Sequence, residues 1–202
     1  MPERSGGLAG TPGTIDRFIP HPDVAERHAA NVHAPAELVL DTAEHFDMLG
    51  LPGVHLLIRM RERFLGAARA PERTVRGLVE ETLRLGWGEL ARTPGREIMM
   101  GAVTRPWEAN VAFRAVPPER FAGFAEPDLV KIVWTLEAEP LAADRARFVT
   151  QTRVVATDDA ARAKFRSYWT KFGAGIVLIR KLAVPAMKRE AERRWRAGGA
   201  TR

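Results

Sequence analysis

The sequence predicts an α+β domain in which a curved antiparallel sheet of six to seven strands wraps around a long C-terminal α-helix, with two short helices after the first strand. Three observations carry this. Between Asp128 and Glu139 the apolar residues Val130, Ile132, Trp134, Leu136 and Ala138 alternate with Lys131, Thr135, Glu137 and Glu139, the pattern of a strand covered on one face and wet on the other. From Asp158 the period becomes helical, and Phe165, Trp169, Phe172, Ile176, Ile179 and Ala183 trace one stripe down to Pro185. The order itself, one strand, two amphipathic helices, a run of closely linked strands and one long helix, favours an antiparallel meander.

The elements follow in chain order. Residues 1–22 are rich in glycine and proline and are expected to form a flexible arm that joins the domain only near Ile15 to Ile19. Ala25 to His33 reads as a strand stopped at Ala34-Pro35, and Pro35 opens a helix carrying Val39, Ala43 and Phe46 on one face. After the break at Gly50 to Gly53, a second helix places Leu57, Met60 and Phe64 together. Glu72 to Leu85 reads as a further short helix. Strands are then expected at Gly86 to Arg92, Arg96 to Thr104, Ala109 to Val116, Asp128 to Glu139 and Arg145 to Thr157, separated by Thr93-Pro94-Gly95, Pro117-Pro118 and Pro140 to Asp144.

Asp158 and Asp159 are N-cap residues for the last helix. From there to Pro185 the helix would be ~39 Å long, against ~40 Å for a twelve-residue strand, so one helix spans the hollow of the sheet. Gly173 and Gly175 imply close packing or a bend, and Pro185 should kink or restart the helix before its basic end. The domain is thus expected over 23–192, with a basic C-terminal tail over 193–202.

Composition narrows the function. With 46% apolar and 28% charged residues the chain can build a sizeable core. The absence of cysteine excludes disulfides, thiolate metal sites and a cysteine nucleophile. Met1 to Thr14 lacks the apolar core of a signal peptide, and no stretch reaches the length of a membrane span, so a cytoplasmic location is expected. The net charge of +6 is concentrated between Lys188 and Arg202, where six basic residues face Glu190 and Glu192. Without an aromatic-rich strand or a reading helix beside it, this excess reads as a solvated helix end, and no nucleic-acid partner is expected.

Motifs for chemistry are largely missing. His21, His28, His33, His45 and His55 form no metal-ligand spacing and read as surface or strand-end residues, and no phosphate loop, nucleophile elbow or dinucleotide fingerprint is present. No metal and no cofactor are expected. What stands out is a set of large side chains that includes Trp87, Trp107 and Met99. In a sheet closed by a helix such residues line a cavity, and the expected lining is Met60, Phe64, Met100, Phe113, Ile132, Trp134, Phe148, Thr150, Trp169, Phe172 and Ile176. Arg105 is the candidate polar contact that fixes a ligand's orientation.

The chain also resembles a known superfamily. Val32-His33-Ala34-Pro35-Ala36-Glu37, Thr104-Arg105-Pro106-Trp107, Phe121 to Pro127, Thr150 to Val154, Phe165 to Trp169 and the Lys188 to Glu192 end are similar to a bacterial branch of the START-like helix-grip (SRPBCC) superfamily. That superfamily includes START lipid-transfer domains, the birch-pollen allergen family and polyketide cyclase/dehydrase-like proteins. The resemblance implies the helix-grip fold and a hydrophobic small-molecule ligand such as a lipid, a quinone or a polyketide-like compound. It implies no catalytic residue, and at Gln151, where relatives of this branch often carry Glu, no acid role is carried over.

Three functions remain open on the sequence. The first is binding or transport of a hydrophobic small molecule, without chemistry. The second is a cyclase or dehydratase acting on an apolar, polyketide-like substrate, which needs an acid/base pair such as Glu97 or Glu108 with Tyr168 or a histidine. The third is an interaction module using the basic helix end. Transient membrane contact and a homodimer are compatible with each.

Overall fold

In the computed structural model, residues 14–48, 50–66 and 77–199 are described. A 3-10 turn at Thr14–Arg17 leads into β1 (Val24–Val32), α1 (Ala36–Glu44), α2 (Pro52–Leu65) and α3 (Leu78–Arg84). Then come β2 (Gly88–Thr93), β3 (Glu97–Thr104), β4 (Phe113–Arg114), α4 (Pro118–Phe121), β5 (Val130–Ala142), β6 (Arg145–Ala156) and α5 (Asp159–Gly199). All six strands join one curved antiparallel sheet in the order β1-β6-β5-β3-β2, with β4 pairing Val103 and Thr104 of β3. This is the α+β architecture expected from the alternation and the terminal helix. The first thirteen residues of the N-terminal arm, and the start of the helix expected from Glu72, lie outside the described residues.

Period-two alternation decides which side chains turn inward. On β1 these are Val24, Glu26, His28, Ala30 and Val32, and their partners on β6 are Val154, Thr152, Thr150, Phe148 and Ala146. Ile132 and Trp134 of β5 continue the same face, paired with Val154 and Thr152, and Met100 of β3 follows opposite Trp134. Over this concave face lie α1 and α5. Val39, Leu40 and Ala43 of α1 meet Ile98, Leu136, Phe148, Val184 and Met187 in one cluster.

The opposite face is not wet. Val133, Met99, Val103 and Leu90 are buried beneath Ile15, Phe18, Ile19, Val116 and Phe121, a second core on the convex side. Alternation along β5 told which residues share a face but not what covers them, and the cover comes from two aperiodic segments. Arg153 pins the first of these, its Nη1 donating to Asp16 Oδ1 at 2.6 Å and to the Ile19 carbonyl at 2.8 Å. From Ile15 the arm is therefore packed against the sheet.

Lys131 is the charged member of this covered face. Its Nζ donates to the carbonyl oxygens of Ala122 (2.8 Å) and Phe121 (3.4 Å), and burial lowers its pKa below the usual lysine value. With the unfolded pKa above the folded one, the unfolded chain binds more protons between the two values. Stability should therefore rise with pH across that window, up to the ordinary lysine value of 10.5. Chemical denaturation of the native protein and of Lys131→Met checks this: the difference between them should shift toward the native chain as pH rises through the window. A pH-independent difference would remove the buried charge from the account.

Two strands differ from expectation. Only Phe113–Arg114 of the segment Ala109 to Val116 pairs, because Thr104 Oγ1 donates to the Ala112 carbonyl (2.7 Å) and draws the chain into a turn. β5 runs beyond Glu139 to Ala142, and Pro140 sits beside a register irregularity, the kind of place where a strand tolerates a residue without an N–H.

The last helix is 41 residues long, ~62 Å at 1.5 Å per residue. Asp158 caps it, Oδ1 accepting from the Ala161 N–H (2.7 Å) and Oδ2 from the Asp128 N–H (2.6 Å), and these bonds lower its carboxyl pKa. Gly173 is required by Trp169: a Cβ at 173 would stand 2.8 Å from the indole ring. Pro185 neither ends nor restarts α5. It lies on the exposed side, where water reaches the carbonyl that its missing N–H leaves free.

α5 continues without a break past 192, where the basic tail was expected to begin, to Gly199. Met187 and Ala191 are in the concave core, Glu192 accepts from the His33 N–H (3.1 Å), and Arg194 reaches Asp41 and Thr42 of α1, each at 2.8 Å. Periodicity broken by a proline concealed this continuation. Among the described residues, no helix is long and apolar enough to cross a membrane.

Candidate functional site

The concave face holds two apolar clusters separated by a polar waist. Toward the start of α5 lie Val130, Val154, Ala161, Phe165 and Tyr168, with Val24, Trp107, Ile132, Trp169, Phe172 and Ile176 packed around them. Toward its end lie Val32, Leu136, Phe148, Val184 and Met187. Between the clusters, three of the elements that cross the gap carry polar side chains, Glu26 and His28 on β1, Thr150 and Thr152 on β6, and Arg180 on α5, while β5 passes directly from Ile132 to Trp134.

Strand register makes a square of the first four, with Glu26 opposite Thr152 and His28 opposite Thr150. Arg180 reaches it from above because it follows Phe172 and Ile176 at four-residue steps, so it occupies the stripe of α5 that faces the sheet. Its Nη1 donates to Thr150 Oγ1 at 2.7 Å. His28 Nε2 stands 3.8 Å from Glu26 Oε2.

Burial sets the electrostatics here. Desolvation lowers the Arg180 pKa to about 10 against the opposing field of Glu26, which still leaves the guanidinium charged at neutral pH. His28 is also lowered, first by burial and then by the fields of Arg180 and Lys181, so its ring is neutral under the same conditions. His28 Nε2 and Thr152 Oγ1 are buried without a hydrogen-bond partner among the described residues.

The neighbouring apolar surface is not fully covered. Ile132, Trp169, Phe172 and Ile176 lie between sheet and helix yet stay partly exposed. Elsewhere, a cleft of about 700 Å³ opens between α1, the loop after it and the end of α5, rimmed by Asp41, Asp47, Glu190 and Arg194. Another of about 330 Å³ lies between α1 and the β2/β3 turn, where Arg92 bridges Glu44 and Glu89. Both are open to solvent, with mixed polar and apolar linings. No group of three or more metal-ligating side chains occurs among the described residues.

The expected lining divides. Met100, Trp134 and Phe148 are buried in the cluster under α1, and Thr150 is in the waist. Ile132, Trp169, Phe172 and Ile176 belong to the cluster near the start of α5. Phe113 sits at the far edge, its ring 5.0 Å from that of Trp87. Met60 and Phe64 are 60% and 71% exposed, because α2 packs across α5 rather than beneath the sheet, although the Phe64 ring comes within 5.4 Å of Phe172. Arg105 is engaged in the loops, donating to the Asp128 carbonyl (2.9 Å) and pairing with Asp128 and Glu108.

Of the acid/base candidates, Glu97 is on the convex face opposite Glu137, Glu108 is paired with Arg105, and Tyr168 packs on Phe172. The waist residues Glu26, His28, Thr152 and Arg180 were not singled out from sequence. A signal for them was there: Arg180 interrupts the apolar stripe at the step after Ile176, and Glu26 and His28 alternate with exposed positions on the first strand.

No protein-family model matches the chain, and no curated protein is significantly similar to it in sequence. Several solved structures resemble it. The Zhui aromatase/cyclase from Streptomyces sp. R1128 is 15% identical, with 87% of this chain and 98% of that one covered at a TM-score of 0.30. A hypothetical protein from Helicobacter pylori is 9% identical over 95% and 99% of the two chains, with a TM-score of 0.40. Norcoclaurine synthase from Thalictrum flavum is 13% identical over 91% and 98%, with a TM-score of 0.24. Likenesses this remote leave the site to be read from its own side chains.

Proposed function

We propose that this protein binds or carries a hydrophobic small molecule in the hollow between α5 and the concave face of the sheet. One observation carries the reading: Ile132, Trp169, Phe172 and Ile176 form an apolar surface inside the grip of helix and sheet that the protein's own atoms do not fully cover. Apolar area left in contact with water is surface that a ligand can bury, at roughly 25 cal/mol per Å². The polar waist beside it supplies the few oriented groups by which such sites fix their ligands. Titration of a fluorescent apolar compound onto the native chain, followed through Trp134 and Trp169, tests the reading.

A second reading, an apolar-substrate cyclase or dehydratase, is favoured by the Glu26 and His28 pair in the waist. A neutral imidazole next to a carboxylate is suited to accept a proton from a bound substrate. The two readings part at His28→Gln, which leaves a carrier's binding intact and removes a cyclase's turnover.

A further inference from the structure

The cation at the centre of the waist lacks its anion. Among the described residues Arg180 has one hydrogen bond, to Thr150 Oγ1, and no carboxylate within ion-pair distance. Arg180 is only partly exposed, and charges largely withdrawn from water are ordinarily paired, because that withdrawal is costly unless an opposite charge compensates. Next to it, His28 Nε2 and Thr152 Oγ1 are also unsatisfied. Glu26 is the nearby carboxylate, but it lies toward His28, 3.8 Å from Nε2, and its own side chain is 33% exposed. At His28 the fields of Arg180 and Lys181 act together against that of Glu26, two cations against one anion. From Ala160 to Arg189 the helix carries no acidic residue at all, so nothing on α5 near the waist offsets this balance.

The geometry fits one class of partner. A guanidinium presents a planar fork of donors that matches the two oxygens of a carboxylate, and Thr152 adds a hydroxyl donor from the sheet side. The apolar surface begins one helical step away at Ile176 and continues to Phe172, with Ile132 across from it. We propose that the waist binds the carboxylate of a monocarboxylic acid whose apolar body lies along Ile132, Phe172 and Ile176. This rests on the hollow being a binding site, and it names the head group that the site reads.

The experiment compares a fluorescent polyene fatty acid with its methyl ester, titrated onto the full chain and onto Arg180→Met, Glu26→Gln and Thr152→Val. The native protein should bind the acid at least about tenfold more tightly than the ester. Arg180→Met should abolish that preference without weakening the ester, and Glu26→Gln should strengthen acid binding severalfold by removing a competing anion. Equal binding of acid and ester by the native chain overturns the head-group assignment and leaves the hollow standing, as does a preference that survives Arg180→Met. Should Arg180→Met fail to fold, an acid preference unchanged in both Glu26→Gln and Thr152→Val overturns it instead. Binding of neither compound removes the hollow as a site and the proposal with it.

Discussion

Replacing Phe121 by alanine is expected to cost about 3–5 kcal/mol, the range for truncating a fully buried phenylalanine. Phe121 has no exposed surface, its ring meets Phe18 edge-on at 6.0 Å, and its Cε2 lies against Gly101, where an added Cβ would come within 2.9 Å. It is the plug of the convex core, and its carbonyl also accepts from Lys131. Removing the ring opens a void that β2, β3 and β5 cannot close, because the β2–β3 and β3–β5 ladders fix their spacing. Urea denaturation checks the value. A loss below about 0.5 kcal/mol, the ordinary surface range, would mean that this side of the sheet is uncovered after all.

A comparable loss is expected from cutting the chain after Ala186. That deletion removes Met187 and Ala191, which are 3% and 0% exposed, and uncovers Val32, Ala34 and Val39 beneath them. It also frees the His33 N–H and Asp41 from Glu192 and Arg194. More than about 3 kcal/mol should be lost, on the scale of deleting a buried methionine. Among the described side chains, cutting after Trp195 removes only the exposed Arg196, Ala197 and Gly198, and it should change stability by no more than about 0.5 kcal/mol. The contrast matters more than either value: two equal, small effects would mean that residues 187–195 do not anchor α5 to α1 and the sheet.

The fold was legible because its largest elements obey simple periods. From Val130 to Ala138 every even position is apolar and only Val133 interrupts the polar face, and Phe165 to Ile176 keep a helical stripe, so strand and helix could be told apart without knowing their neighbours. What escaped was coverage. Ile15, Phe18, Val116 and Phe121 bury the convex face from segments with no period, and nothing local to Lys131 shows that it will be covered. Pro185 misled for a related reason: the cost of proline in a helix depends on whether solvent can reach the carbonyl it frees, which is a tertiary fact.

The candidate site was legible only in its apolar part. Ile132, Trp169, Phe172 and Ile176 follow from the patterns that gave the fold, whereas Met60 and Phe64 depend on how α2 docks, which no periodicity encodes. The polar waist was harder. Glu26 and His28 on a short strand look like ordinary surface alternation, and Arg180 looks like one more base in a basic helix. They become a site only when β1 pairs with β6 and α5 lies across both, bringing residues about 150 positions apart into contact through Thr150.

An apolar hollow between α5 and the sheet is tested most directly by titrating the native protein with a fluorescent apolar compound while recording tryptophan emission. Such a hollow gives saturable binding at one site in the native state, with altered emission because Trp169 belongs to its apolar surface. Loss of that binding is also expected in Ile132→Lys, which places an uncompensated charge on the apolar wall. A solid interior gives the opposite result: no binding to the native chain, and uptake of the compound only under partial denaturation, when loosened packing exposes apolar surface.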